Sequence, residues 1–233
     1  MNDLSPILKF NEVTTAENAD YETGLWNISF QVDPGQLLLL LLERQDERLP
    51  LADAAEGLVV PEHGTAAFLG ADWQGMSADR AALQRGKIGR VFEDAGWVSD
   101  LDVEENIMLA QKHHTQRSEA EILDEALKFA RLFGLPGLPR GRPAAVRRMD
   151  LRKAACIGAL LGQPMLIILD RPARGVYADL MAPLVNAVQS ARRRGAAVLW
   201  MTGDLQIWNN PGLRATRRAK MFGSQMHMME PES

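Results

Sequence analysis

The residues best suited to chemistry in this 233-residue chain are clustered. Arg140, Arg142, Arg147, Arg148, Arg152 and Lys153 crowd into residues 140–153, opposed only by Asp150. Such a run is either a solvated helix face or a surface for an acidic partner. Aromatic residues are not interleaved with it, which argues against nucleic acid. The net charge of −4 supplies no global field for nucleic acid either. His113-His114 has no Cys or Asp nearby and reads as polar loop surface rather than a metal site. The Met226-His227-Met228-Met229 tail reads as a packed or frayed terminus. Cys156 is the only cysteine, so no intramolecular disulfide framework exists, which suits a reducing compartment. A phosphate-cradling loop has the form G-x-x-x-x-G-K-[ST], and no such run occurs in the chain.

The elements that must position these residues follow from periodicity. Phe10 and Val13 fall in a first strand. Trp26, Ile28, Phe30 and Val32 alternate with polar residues, as a half-buried strand does. Asp33-Pro34-Gly35 is a turn, and the six leucines Leu37 to Leu42 are a central strand. That run is far too short to span a membrane, which takes about 20 apolar residues. Met1 to Pro6 is polar, so no secretory leader is expected. Residues 52–58 suit a helix, and Ala66 to Leu69 and Ile88 to Phe92 suit strands. Ser118 and Glu121 have capping-box spacing ahead of an apolar stripe ending at Gly134. Residues 151–161 and 180–191 read as helices, and 165–169 and 197–201 as apolar strands. Helix and strand thus alternate through the C-terminal half, which implies parallel βαβ units. With 46% hydrophobic and 24% charged residues, the composition is ordinary for a globular chain with a sizeable core.

This order of elements resembles that of ABC-transporter ATPase domains. Ile28 to Gly35 matches the strand and Pro-Gly turn ahead of the strand that feeds the P-loop, and Pro61 to Gly64 the "P-x-x-G" turn. Phe92-Glu93-Asp94 and Leu101 to Ile107 resemble the Q-loop and the "L-T-V-x-E-N" run behind it. Pro164 to Pro172 resembles the Walker B strand. Within the family, Val91 to Ile107 looks most like the ATPases of Mla/Mce-type lipid transporters. The resemblance implies an α/β fold over residues 1–233: a P-loop-type parallel core sheet, an N-terminal antiparallel β part, and a helical subdomain over about 106–150.

Placed on that pattern, the P-loop falls on Leu42 to Pro50, where no glycine stands. Glu43, Asp46 and Glu47 are carboxylates, Arg48 takes the lysine position, and Leu49 and Pro50 take the hydroxyl positions. The Q-loop glutamine position is Glu93, and the signature falls on Val146 with Arg147, Arg148, Met149 and Asp150. Asp170 keeps the Walker B carboxylate, while the catalytic glutamate position is Arg171, a cation that cannot act as general base. The D-loop position is Tyr177 and the switch position Gly203. Tyr21 is a poorly placed substitute for the adenine-stacking aromatic.

These substitutions lead to an expectation of a degenerate, non-catalytic ATPase-like subunit, not an enzyme, binding neither ATP nor magnesium. It would act as scaffold or regulator in a membrane transport complex, with lipid-related cargo. Its partners would be a permease, docked through Glu93 to Asn106, and a second nucleotide-binding-type subunit or a second copy. It would lie in the cytoplasm, peripheral to the inner membrane. Two alternatives stand beside this reading. One is a composite ATPase to which the chain lends Asp170 and an arginine, Arg147 or Arg148, in trans. The other is a soluble adaptor or nucleic-acid binder.

Overall fold

A computed structural model describes residues 5–17, 20–44, 48–93, 96–175 and 177–230, with Tyr177 described by its backbone alone. Two sheets are stacked, with helices covering the far face of the second. The first sheet holds β1 (Leu8–Thr15), β2 (Leu25–Val32), β4 (His63–Phe68) and β5 (Ala71–Asp72) in the antiparallel order β2-β1-β4-β5. The second runs β10-β9-β3-β8-β7-β6. It is built from β3 (Leu37–Leu42), β6 (Ile88–Val91), β7 (Leu166–Asp170), β8 (Ala197–Thr202), β9 (Arg217–Phe222) and β10 (Gln225–Met228). Its strands are parallel except β10, which pairs antiparallel with β9.

The unbroken apolar strands are buried on both faces. Successive side chains point to opposite faces, so Leu38, Leu40 and Leu42 pack toward the first sheet while Leu37 and Leu39 pack toward the helices. The neighbours follow suit, with Leu166 and Ile168 on the inter-sheet side and Ile167 and Leu169 on the helical side. This explains why β3 and β7 read as continuous runs rather than alternations.

Seven helices accompany the sheets among the described residues: α1 (Leu51–Ala55), α2 (Ala78–Arg85), α3 (Val103–His114), α4 (Glu119–Leu132), α5 (Arg148–Leu160), α6 (Tyr177–Arg193) and α7 (Leu205–Trp208). Ser118 and Glu121 close the expected capping box at α4. Glu105 Oε2 likewise accepts from Asp102 N–H at 2.7 Å at the start of α3. The helical arm packs through α3 and α4 onto α5, and α5 lies along β6. Gly89 permits that last approach: a Cβ there would stand 1.8 Å from the Ala159 carbonyl oxygen.

Several local expectations change. The core sheet is mixed because β9 turns back into β10, so Met226 to Met228 form a strand rather than a frayed tail. His113 and His114 end α3 rather than lying in a loop. The helix α2, absent from the sequence reading, starts at Ser77, whose hydroxyl accepts from Arg80 N–H. Of the basic cluster, Arg152 and Lys153 are buried, because tertiary packing turns that side of α5 inward. Among the described residues no helix is long and apolar enough to cross a membrane.

Candidate functional site

The parallel strands β3, β6, β7 and β8 end together, and the crevice beyond such carboxyl ends is where open α/β sheets carry ligands. Three segments meet there: Arg48 to Pro50 ahead of α1, Phe92 and Glu93 beyond β6, and Asp170 and Arg171 at the end of β7. The apolar strands fix the backbone, and the polar residues at their ends therefore converge.

Arg171 is the centre of the arrangement. Its Nη1 donates to Glu93 Oε2 at 2.7 Å and to Asp170 Oδ1 at 3.2 Å. Arg174 forms a second ion pair with the same Glu93 carboxylate. Arg171 is 5% exposed at its side chain and Glu93 9%, so this charge is held almost out of water. The backbone of Arg171 is left-handed, at φ 43°. For a side-chain-bearing residue this costs on the order of 1 kcal/mol or more, held by the surrounding contacts. Burial pushes the Asp170 carboxyl up to about 6, against the opposing pull of Arg171.

A second cluster borders the first. Arg90, on β6, contacts Asp53 at 2.7 Å and Glu56 at 2.6 Å, both from or just beyond α1. The Tyr21 hydroxyl donates to the other Asp53 oxygen at 2.8 Å. Burial and that hydrogen bond raise the Tyr21 phenol above its ordinary range, and burial raises the Glu56 carboxyl. The Arg90 guanidinium also lies 4.3 Å from the centroid of the Phe92 ring.

The sequence-predicted positions divide accordingly. Arg48, Leu49, Glu93, Asp170 and Arg171 line one small cleft of about 50 Å³, together with Tyr21, Asp53 and Arg90. Pro50 is buried ahead of α1. Glu43 is exposed, with its N–H bonded to the Met221 carbonyl. Asp46 and Glu47 lie outside the described residues, as does the side chain of Tyr177. Gly203 lines a separate cavity of about 340 Å³ with Arg171, Arg174, Thr202 and Asp204. Arg147 and Asp150 pair with each other at 2.8 Å and line a third groove, on the helical arm, while Arg148 and Met149 are exposed. Sequence reasoning missed Asp53, Glu56, Arg90 and Arg174, and placed Arg152 only in the basic cluster of residues 140–153. An arginine in the middle of the short strand Ile88 to Val91 was the one available signal, because a cation is not buried without partners.

The described lining of the cleft does not fit a magnesium nucleotide as it stands. Its volume is about 50 Å³, whereas small-molecule pockets run to roughly 300–1,000 Å³. It carries no Ser or Thr, and the Arg171 guanidinium already rests against Asp170.

No family model matches the chain. It is 25% identical over 186 residues to a candidate hemin import ATP-binding protein, HrtA, of Staphylococcus haemolyticus (strain JCSC1435), covering 78% of this chain and 83% of that protein. It is 23% identical over 205 residues to a probable ribonucleotide transport ATP-binding protein, mkl, of Mycobacterium leprae (strain TN). That match covers 85% of this chain but only 59% of the mkl protein. Among solved structures, an ATP-binding subunit of an ABC transporter superposes with a TM-score of 0.79 at 20% identity, covering 96% of this chain and 90% of the other. The dimeric bacterial ABC transporter cassette MJ0796 gives 0.80 at 17% identity, covering 97% and 100%. The same cassette superposes equally well in a post-hydrolysis state with ADP and Pi.

These comparisons correct three expectations: a non-catalytic subunit, a chain that is not an enzyme, and a chain without ATP or magnesium. The relatives are named as ATP-binding proteins, and a neighbouring cassette was solved with hydrolysis products. The expectations rested on the missing glycines and the replaced motif side chains of this one chain. Residues 45–47, in the middle of the presumed cradle, also lie outside the described residues. The cargo words in the relatives' names, hemin and ribonucleotide, differ from the lipid cargo that the Mla/Mce likeness implied. The chain has the α/β fold of an ABC-transporter ATP-binding cassette, with an antiparallel first sheet, a largely parallel core sheet and a helical arm.

Proposed function

We propose that the chain serves as an ATP-binding subunit of an ABC-type membrane transport complex, peripheral to the cytoplasmic face of the membrane and paired with a second nucleotide-binding subunit. The observation that carries this reading is the end-to-end likeness to cassettes, one of them dimeric, joined to relatives named for ATP-linked transport. ATP is carried over from those names. The motif positions Glu43, Asp46, Glu47, Arg48 to Pro50, Glu93, Arg147 to Asp150, Asp170, Arg171, Tyr177 and Gly203 belong to the same reading.

The permease would dock at a groove of about 230 Å³ beside the Glu93–Asn106 segment, lined by Phe92, Gly96, Trp97, Asn106 and Gly158 among others. The Asn106 carboxamide stiffens one wall, since its oxygen accepts from Val98 N–H at 2.8 Å and its Nδ2 lies 3.0–3.2 Å from three carbonyls of residues 98–102. Trp97 packs partly against the core and offers the groove an aromatic edge.

Two measurements test this reading. Affinity purification of the full chain from membranes should retain a permease subunit, and Trp97→Glu should lose it. Titration with ATP and magnesium should raise the melting temperature as ligand linkage requires, the stabilisation reaching about 2.7 kcal/mol at 100 times Kd. No rise for the chain alone or in its complex would sink the ATP assignment, and retention of no membrane protein would sink the transport assignment.

A further inference from the structure

The core sheet is not covered evenly on its helix side. The buried side chains of β9, Ala219 and Met221, join the core between the two sheets, where Met226 and Met228 of β10 also pack. The alternate positions therefore point the other way. They are Arg218, Lys220 and Phe222 on β9, His227 on β10 and Met229 just past it. None of these five belongs to the core beneath the helices. Phe222 and Met229 are 44% and 43% exposed, and the Phe222 and His227 rings meet edge to face at 5.4 Å.

Two cations on this face lack a counter-charge. Arg218 and Lys220 are partly buried and form no ion pair among the described residues. Arg218 rests over the Trp208 ring of α7, 5.1 Å from its centroid. His227 stands directly opposite Lys220 in the ladder and brings no negative charge. Glu43 and Glu230 flank the strand ends, both exposed, and pair with neither cation. A parallel sheet is ordinarily covered by helices on both faces, and cations held partly out of water favour an anionic cover.

The spacing of the cations selects the form of that cover. Two residues apart on one strand, Arg218 and Lys220 are separated by about 6.6 Å. Residues i and i+4 of a helix are separated by a rise of about 6 Å. We propose that the outer face of β9 and β10 seats an acidic amphipathic helix of a partner protein. Carboxylates one turn apart meet Arg218 and Lys220, and apolar side chains beside them cover Phe222 and Met229. None of these residues lines the cleft at Asp170 or the groove at Trp97, so the seat needs neither ATP nor a permease.

Nuclear magnetic resonance of the full chain, labelled at methionine methyls and tryptophan indoles, tests the seat. The probe is a synthetic helical peptide of about four turns with glutamates at i and i+4 between leucines. Its twin carries glutamines instead. The glutamate peptide should shift Met229 and Trp208 saturably and leave Met76 and Trp73 unmoved. The twin, or Lys220→Gln with the glutamate peptide, should bind about tenfold more weakly, with the melting temperature of the chain unchanged. Lys220→Glu should reverse the preference toward a lysine peptide. Should the Lys220 variants not fold, the two peptides on the parent chain carry the comparison. No shift, or equal binding of both peptides by the parent, overturns the proposal. So does self-association of the parent that Lys220→Glu abolishes, which would make a second copy the occupant. Binding to phosphatidylserine vesicles that shifts Met229 where the glutamate peptide does not would make the face a membrane contact and overturn it likewise.

Discussion

The Glu93 carboxylate and the Arg171 guanidinium meet at 2.7 Å across 78 residues of sequence, one from the exit of β6 and the other from the end of β7. Neither side chain is more than 9% exposed. Removing one member of such a pair costs about 3–5 kcal/mol, mostly from the charge left behind. Arg171→Met should therefore lose roughly that much stability in urea unfolding, toward the low end because Arg174 still faces Glu93. Pairing it with Glu93→Leu should recover part of the loss. A double variant less stable than the sum of the singles would contradict this account.

Asp170 gives the pH dependence. Its folded carboxyl titrates near 6, above the ordinary value of 3.8, chiefly through burial. The folded state thus holds the proton more tightly than the unfolded chain. The associated stability is complete below the ordinary value and is lost as pH rises through about 6. By neutral pH the ionised group costs on the order of 2–3 kcal/mol. Asp170→Asn should then be more stable than the parent near pH 7, and the gap should close as pH falls from about 6 to about 4. A gap that stays constant over that range would falsify the assignment.

The fold was largely legible because it is written in local pattern. Leu37 to Leu42 and Leu166 to Leu169 are continuous because both faces are buried, and Ser118 with Glu121 announced α4. The site was legible only as a set of strand ends. Asp170 and Glu93 could be placed, but the partners of Arg90 lie 37 and 34 residues away, at Asp53 and Glu56. Those of Arg152 lie 60 and 59 residues away. No periodicity encodes a contact between residues so far apart, and a burial that depends on packing, as for Arg152 on α5, cannot be told from a solvated helix face. The reading of lost chemistry went further than side-chain identities allow, and the relatives' names corrected it.

Tyr21 reports on the second cluster. Its hydroxyl donates to Asp53, so ionising the phenol places two negative charges together at a half-buried spot. The chain has two tyrosines, Tyr21 and Tyr177. In an ultraviolet pH titration the Tyr21 share of the tyrosinate signal should be delayed beyond the ordinary phenol range, appearing only as the protein unfolds. Tyr21→Phe should abolish that delayed step and cost about 1–3 kcal/mol, as for a hydrogen bond to a charged acceptor. A single unshifted transition for the parent would show that the Asp53 contact does not form in solution.

Gly89 tests how the helical arm is seated on the sheet. It lies in β6 between Ile88 and Arg90, and α5 packs along β6. A Cβ at this position would come within 1.8 Å of the Ala159 carbonyl oxygen, a backbone atom that cannot swing aside as a side-chain end can. Gly89→Ala must therefore push α5 away from β6, and overpacking of this kind costs about 1–3 kcal/mol or more. The displacement would also lengthen the reach of Arg152 to the Phe92 and Glu93 carbonyls. Gly89→Ala should accordingly combine a lower unfolding midpoint with faster amide exchange at the β6 exit. Gly137, a half-buried glycine where a Cβ meets nothing within 4 Å, supplies the control, and Gly137→Ala should leave stability within about 0.5 kcal/mol of the parent and the exchange unchanged.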